Sequence, residues 1–400
     1  MKTLRILCFG LFVVASGRLG ADDFLDQVDE ALTFNAFEGN VRGRLSGLLD
    51  LELYAIDQPP PGLIYTYHHL LANPRLTMFF DTQFGPHAYL FVQGRADRDF
   101  DPADQDLQAR LDEYALRITP WESGPFVAQI GKFATVVGNY VQRHLSWDNP
   151  FINAPLPYEN LTPISDIEEP YFFTGLHLEP EENLPLIWGP SYASGASIAG
   201  KVGKFQYAVE IKNSGLASRP QSWDLTQVGL ENPTFSGRLG FDPDEAWSFG
   251  FSASKGPYFQ PDVVGLPLGT GIGDYDEILI GQDIRYAWHH LQIWAEFYEV
   301  RFQVPYIGDV DTFAYYVEAK YKLTPEFYCA LRWNQQFYGA IPDGLGEMRP
   351  WGSDIWRIDA AIGYRFSAHT QLKVQYSFQD ATADSRNLIQ MLATQFTVRF

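Results

Sequence analysis

Met391-Leu392-Ala393-Thr394-Gln395-Phe396-Thr397-Val398-Arg399-Phe400 alternate without a break. Side chains alternate across a strand, so Leu392, Thr394, Phe396, Val398 and Phe400 share one face. Met391, Ala393, Gln395, Thr397 and Arg399 share the other. One face is apolar and the other mostly polar. Such a strand suits the edge of a soluble sheet, and equally a sheet whose apolar face meets lipid. The rest of the chain decides between them.

From Asn40 onward the same grammar repeats. Asn40–Ile56 sets Val41, Leu45, Leu49, Leu51 and Leu53 against Arg42, Arg44, Ser46, Asp50, Glu52 and Tyr54. Further alternating segments are Pro74–Phe84, His87–Arg98, Leu107–Thr119, Pro125–Phe133, Ser191–Gly200, Phe205–Asn213 and Thr234–Phe241. They continue with Ala246–Lys255, Tyr275–Ala287, His290–Gln303, Val310–Leu323, Glu326–Tyr338, Asp354–Phe366, Thr370–Asp380 and Asn387–Phe400. Together these make about sixteen strands, an even number as bacterial membrane barrels require. The connections alternate long and short. Gly85-Pro86, Lys201–Lys204, Trp288-His289 and Thr324-Pro325 are short; Asp57–Asn73, Ala134–Pro190, Ser214–Pro233 and Gly256–Asp274 are long. Short turns at one end and long loops at the other are the layout of an outer-membrane barrel, which a soluble sandwich has no reason to keep. The fold class expected is all-β: a transmembrane antiparallel barrel over residues 40–400.

Bulk properties agree. Met1–Arg5 is basic, Ile6–Ala15 is apolar and Ser16-Gly17 is small, which together read as a secretory signal over 1–21. That run is too short to span a membrane, and no longer one follows. Residues 22–39 form a short periplasmic segment, with Phe24, Leu25, Val28 and Leu32 at helical spacing. Of two cysteines, Cys8 falls in the signal and leaves Cys329 alone, so a disulfide-stapled domain is excluded. A secreted chain that enters lipid without helices must do so as a closed barrel. The net charge of −20 disfavours nucleic acid as a partner. It suits either acidic loops that hold divalent cations at a lipopolysaccharide surface or simple solubility.

A charge at mid-depth on the lipid face costs about 2–4 kcal/mol, so the strand charges face the lumen. That assigns Arg42, Arg44, Arg75, Arg95, Arg117, Arg238, Arg285, Lys320, Arg332, Arg357, Arg365 and Lys373 as pore-lining. Asp81, Glu113, Glu296, Glu318 and Asp359 join them, so the lumen is mixed with a modest basic excess. Ala134–Pro190 is long enough to be functional. Its stretch Trp147, Asp148, Asn149, Phe151, Asn153 and Tyr158 is rich in aromatics that need a wall, and the barrel interior supplies one. The alternative is an exposed loop or an extra hairpin at Tyr171–Leu178.

Gly269-Thr270-Gly271-Ile272-Gly273 precedes a strand rather than a helix, so it is a loop and not a phosphate cradle. His68-His69 and His289-His290 fall at opposite ends of the barrel and cannot share a metal. No G-x-S-x-G or comparable nucleophile context occurs. Neither an enzyme nor a cofactor is expected.

The C-terminal strand resembles the closing strand of bacterial outer-membrane barrels, in which Phe396, Val398 and Phe400 would be the signal read by the barrel-assembly machinery. Gly131-Lys132-Phe133 and Gly138, with Asp112-Glu113-Tyr114-Ala115 on the strand before, resemble the phosphate-selective porin O/P family and related sixteen-stranded porins. The likeness covers barrel layout and one short motif. It implies a homotrimer, a third extracellular loop folded into the pore as its constriction, and anions held by a lumenal ladder of Arg and Lys. The clustered basic residues of a dedicated phosphate site are absent. The function expected is passive diffusion of small hydrophilic solutes across the bacterial outer membrane, general or weakly anion-preferring. The alternatives are a channel specific for phosphate, another anion or a sugar, and a non-conducting binding or structural barrel with acidic loops.

Overall fold

The computed structural model describes residues 18–57, 62–64, 66, 68–98, 107–121, 125–167, 172, 183–220, 229–343, 345–381 and 389–400. The expected signal, apart from residues 18–21, and the candidate hairpin Tyr171–Leu178, apart from Phe172, lie outside them. A helix α1 (Arg18–Ala31) and a short strand β1 (Thr33–Ala36) come first. Then follow β2 (Val41–Ile56), β3 (Leu70–Phe84), β4 (Ala88–Arg98), β5 (Leu107–Ile118), β6 (Val127–Phe133), β7 (Ala193–Val202), β8 (Phe205–Lys212) and β9 (Thr234–Phe241). The chain goes on through β10 (Trp247–Pro257), β11 (Asp276–Trp288), β12 (Leu291–Val304), β13 (Gly308–Lys322) and β14 (Phe327–Tyr338). A loop hairpin of β15 (Ala340–Pro342) and β16 (Met348–Pro350) precedes β17 (Ile355–Arg365), β18 (Thr370–Ala381) and β19 (Ile389–Arg399).

β2–β14 and β17–β19 close into one antiparallel ring of 16 strands, each paired with its sequence neighbour, and β19 returns to β2. Every expected strand is present, and the bounds move by a few residues; β3, for example, begins at Leu70 rather than Pro74. Closure leaves no free edge in the ring, and every ladder bond is made between strands, as a lipid environment demands. No described helix is long and apolar enough to cross a membrane.

The outer face is greasy. Leu49, Leu51, Leu53, Leu239, Phe249, Phe251, Leu331 and Trp333 are all exposed. A contiguous apolar band of this kind has no place on a water-soluble monomer. Aromatics pair along it: Trp247 with Tyr286 at 4.4 Å and Trp333 with Trp356 at 5.6 Å. Amphipathic rings of this sort suit the interfaces of a bilayer. On β12 and β13 the outward ion pairs sit at the long-loop rim, where Arg301 meets Asp309 at 3.2 Å and Asp311 at 2.7 Å.

β19 lies on β2 with Gln395 opposite Glu52 and Thr397 opposite Asp50. Phe396 and Val398 point outward and are half-buried. Phe400 exchanges backbone hydrogen bonds with Gly47 at 2.8 and 3.1 Å, and its ring lies over Gly47 where a side chain would collide. β1 takes the rest of that edge, with Ala36 opposite Val41 and Thr33 opposite Arg44. α1 rests at the short-turn end, where Asp29 binds Arg44 at 2.7 Å and Asp26 meets His369 at 2.8 Å.

Candidate functional site in the barrel interior

The third long connection, between β6 and β7, turns inward and is buried in the barrel. Two glycines set the entry. Gly131 has φ +137, and a Cβ there would strike the Tyr114 carbonyl across the ladder. Gly138 has φ +73, and a Cβ there would run into the Tyr298 hydroxyl and a Glu296 oxygen. Non-glycine residues are strained at such angles.

A buried irregular segment lacks partners for its own backbone groups, and each must find one. Lumenal carboxylates take the N–H groups. Glu113 accepts from Ala134 N–H at 2.6 Å, and Glu210 accepts from the Thr135 hydroxyl at 2.7 Å and Val136 N–H at 3.2 Å. Glu296 accepts from Asn139 N–H, Tyr140 N–H at 2.9 Å and the Tyr158 hydroxyl at 2.7 Å.

Lumenal cations take the carbonyls. Lys373 Nζ donates to Ser146 at 2.6 Å, Asn149 at 2.9 Å and Phe151 at 3.2 Å. Arg332 Nη2 donates to the Asn153 side-chain oxygen at 2.6 Å and the Ala154 carbonyl at 3.2 Å. Arg357 also reaches Ala154, and Arg365 reaches Trp147 at 3.2 Å. One contact runs the other way: Arg143 of the segment meets Glu318 and lies 4.6 Å over Trp294.

From Asn139 onward the segment therefore lies on β11–β18, whose charges hold it, while Glu113 of β5 and Glu210 of β8 hold residues 134–136. Arg332, between Asp359 at 2.8 Å and the Phe151 ring at 4.3 Å, has no exposure at all. Glu296, Glu318, Asp359 and Lys373 are equally covered. Phe151 and Tyr158 are fully buried, Asn149 and Asn153 nearly so, and Asp148 is exposed. Trp147 sits between Arg365 at 4.9 Å and Arg399 at 4.8 Å. His144 is pushed down to about 4 by burial, with the nearby Arg95 guanidinium adding to it, so the ring is neutral. It contacts the Tyr192 hydroxyl at 3.0 Å.

The other wall stays open. A cavity of about 210 Å³ lies between β2–β5 and the segment, bordered by Asp50, Glu52, Arg75, Arg95, Asp97 and Arg110. Its charges are matched: Arg75 with Asp50 at 3.1 Å and Glu52 at 2.6 Å, Arg95 with Asp112 at 2.9 Å, and Arg110 with Asp97 at 2.5 Å. A second space of about 450 Å³ lies against β5–β9 and is bordered by Arg117 and Arg238. Arg42, Arg44 and Arg285 are exposed toward the short-turn end, Lys320 lies 4.2 Å over the Tyr328 ring, and Asp81 accepts from Tyr89.

Strict alternation leaves Arg110 and Asp112 off the inner face, yet both are there. Between Gln93 and Gly94 the β4–β5 register shifts, and Asp112 bulges inward beside Glu113. Two adjacent acids on a strand with a lipid-facing side were the available signal, because a bulge is the way to keep both out of lipid. Arg143, Tyr298 and Tyr316 complete the clamp on the segment; alternation puts Tyr298 and Tyr316 on the lumenal face with Glu296 and Glu318, and nothing in the sequence marks Arg143.

No family model matches the chain, and no curated protein matches it either. Solved structures do. An anion-selective porin from Comamonas acidovorans is 10% identical over 90% of this chain and 100% of its own, with a TM-score of 0.57. Salmonella typhi OmpF, solved with daunomycin, is 12% identical over 92% of this chain and 100% of its own, with a TM-score of 0.57. The outer-membrane channel DcaP of Acinetobacter baumannii is 12% identical over 92% and 99%, also at 0.57. At this identity the likeness is one of architecture, and it matches what the ring closure and the inserted third connection show: the chain has the sixteen-stranded fold of bacterial outer-membrane porins.

Proposed function

We propose that this protein is a bacterial outer-membrane diffusion channel that passes small hydrophilic solutes with a mild preference for anions. The observation that carries this is the one-sided placement of the inserted segment. Its residues 139–158 are fastened to β11–β18 by lumenal charges, and open space remains along β2–β9, walled by side chains of both signs. No chemical step is required of it. The barrel replaces lipid with a polar path, and charges along that path set which ions enter. The working pore lining on this reading is Asp50, Glu52, Arg75, Arg95, Arg117 and Arg238; Arg332, Arg357, Glu296, Glu318, Asp359 and Lys373 hold the constriction and do not touch the solute.

The same reading includes a homotrimer, assembly through the C-terminal strand, acidic loops among lipopolysaccharide, and no catalytic activity. Purified, refolded protein in a planar bilayer tests it. Stable conductance steps with an anion-preferring reversal potential are expected. A second reading, a barrel that binds but does not conduct, is favoured by the complete burial of the β11–β18 charges. Folded protein that gives no steps would establish that reading in place of the first.

A further inference from the structure

The two interior spaces lie at different heights. Along β4 and β5 the smaller one is bordered by Arg95 and Arg110, toward the long-loop end, and the larger one by Arg117, toward the short turns. The legs of the inserted segment divide in the same way: His144 and Pro190 border the smaller space, Thr135 and Gln142 the larger. No described residue borders both. Between the two heights stand Gln93 of β4, Asp112 of β5 and Tyr192 just before β7, all buried. We propose that Tyr192 is the residue that sets the size limit for passage from the outer chamber to the inner one. The proposal rests on the channel reading, since only a conducted solute meets such a limit.

The hydrogen bonds around Tyr192 form a bar across the lumen, and each has a single direction. The Val141 carbonyl can only accept, so His144 Nδ1–H donates to it at 2.5 Å. The His144 ring is neutral, so its Nε2 is left as an acceptor for the Tyr192 hydroxyl at 3.0 Å. Gln93 Nε2 donates to the Tyr192 oxygen at 3.2 Å and to Asp112 at 3.3 Å. Asp112 is fixed in turn by Arg95 and Arg110, both at 2.9 Å. The bar thus runs from the outgoing leg of the segment, through the end of its return leg, to the barrel wall. The His144 and Tyr192 rings meet edge to face, with centroids 6.2 Å apart.

Both bonds made by the Tyr192 oxygen join neutral groups. The bonds from Lys373 and Arg332 to residues 146–154 are charge-assisted, and bonds of that kind are roughly twice as strong. The bar is therefore the joint that yields while the constriction stays docked. In a path of chambers in series, the narrowest joint sets both the conductance and the largest solute admitted. Tyr192 occupies that joint with an aromatic ring, and its side chain borders neither chamber.

Single-channel conductance of the refolded full chain, with polyethylene glycols of graded mass as uncharged probes of size, tests the limit. Heat-shifted gel mobility first establishes that each variant is folded. Tyr192→Ala is expected to raise conductance by about twofold or more and to admit larger polymers than wild type. His144→Ala removes the far end of the bar from the segment and leaves the ring strands intact; it is expected to act in the same direction and serves if Tyr192→Ala does not fold. Tyr376→Ala, on the exposed outer face, is expected to leave both readings unchanged. Wild-type conductance and polymer limit in the folded variants of the bar, or an equal rise in Tyr376→Ala, overturns the proposal. Steps from Tyr192→Ala with none from wild type would retain Tyr192 as the limit and remove the wild-type protein as a diffusion channel. No steps from any of these proteins would overturn both.

Discussion

Replacing Lys373 by methionine tests whether lumenal charges hold the constriction. The side chains are similar in length, so packing volume is nearly kept. What disappears is one ammonium with its hydrogen bonds to the Ser146, Asn149 and Phe151 carbonyls. A buried polar group left without a partner costs about 1–3 kcal/mol. Water can reach the neighbouring cavity and relieve part of this, so the docked segment loses about 3–5 kcal/mol relative to a released one. That shifts the docked-to-released ratio by about 10²- to 10⁴-fold. The barrel wall is untouched, since Lys373 pairs through its backbone with Gly363 and Gln395 regardless of side chain. The expected result is a normal heat-shifted band on a gel, larger and noisier single-channel conductance, and faster hydrogen exchange over 146–153 alone. Conductance and exchange equal to wild type would refute the view that cation-to-carbonyl bonds fasten the segment.

Three further outcomes are expected. Gly131→Ala puts a methyl group against the Tyr114 carbonyl, so β5–β6 pairing should fail and the yield of heat-shifted barrel should fall several-fold; an unchanged yield would mean the backbone there relaxes freely. His144 has its pKa lowered in the folded state, so the unfolded chain binds more protons between the usual histidine range and about 4. Stability of the docked segment should therefore fall as pH drops through that window, and His144→Asn should flatten the dependence, read as protease sensitivity of the segment against pH. Arg301→Ala breaks an exposed, solvent-screened pair on the outer rim and should leave the temperature of the gel-shift transition unchanged.

The barrel was legible from local rules. Parity along a strand, and the lengths of the turns between strands, are properties of neighbouring residues, and they placed every member of the ring. The interior was legible only as far as parity goes. Arg332 and Arg75 carry the same pattern in the sequence and point to the same lumen. Whether either meets solution depends on where residues 150–154 come to rest, and that is decided by hydrogen bonds to backbone groups spaced far along the chain. The Asp112 bulge shows the other limit: one extra residue inverts the alternation for the rest of its strand, and Arg110 moves with it.

β1 and β19 share the edge of β2, end to end. Phe400 stops at Gly47, and Leu32 takes the N–H of Leu45 just beyond. Strand patterning guards well against a slip of one residue, which would turn every side chain to the wrong face. It is blind to a slip of two, which keeps lipid-facing and lumenal residues in place. Such a slip toward the start of β2 would drive Phe400 into Leu32. The N-terminal strand thus acts as a doorstop for β19, blocking by collision a registration error in that direction which hydrophobicity cannot detect.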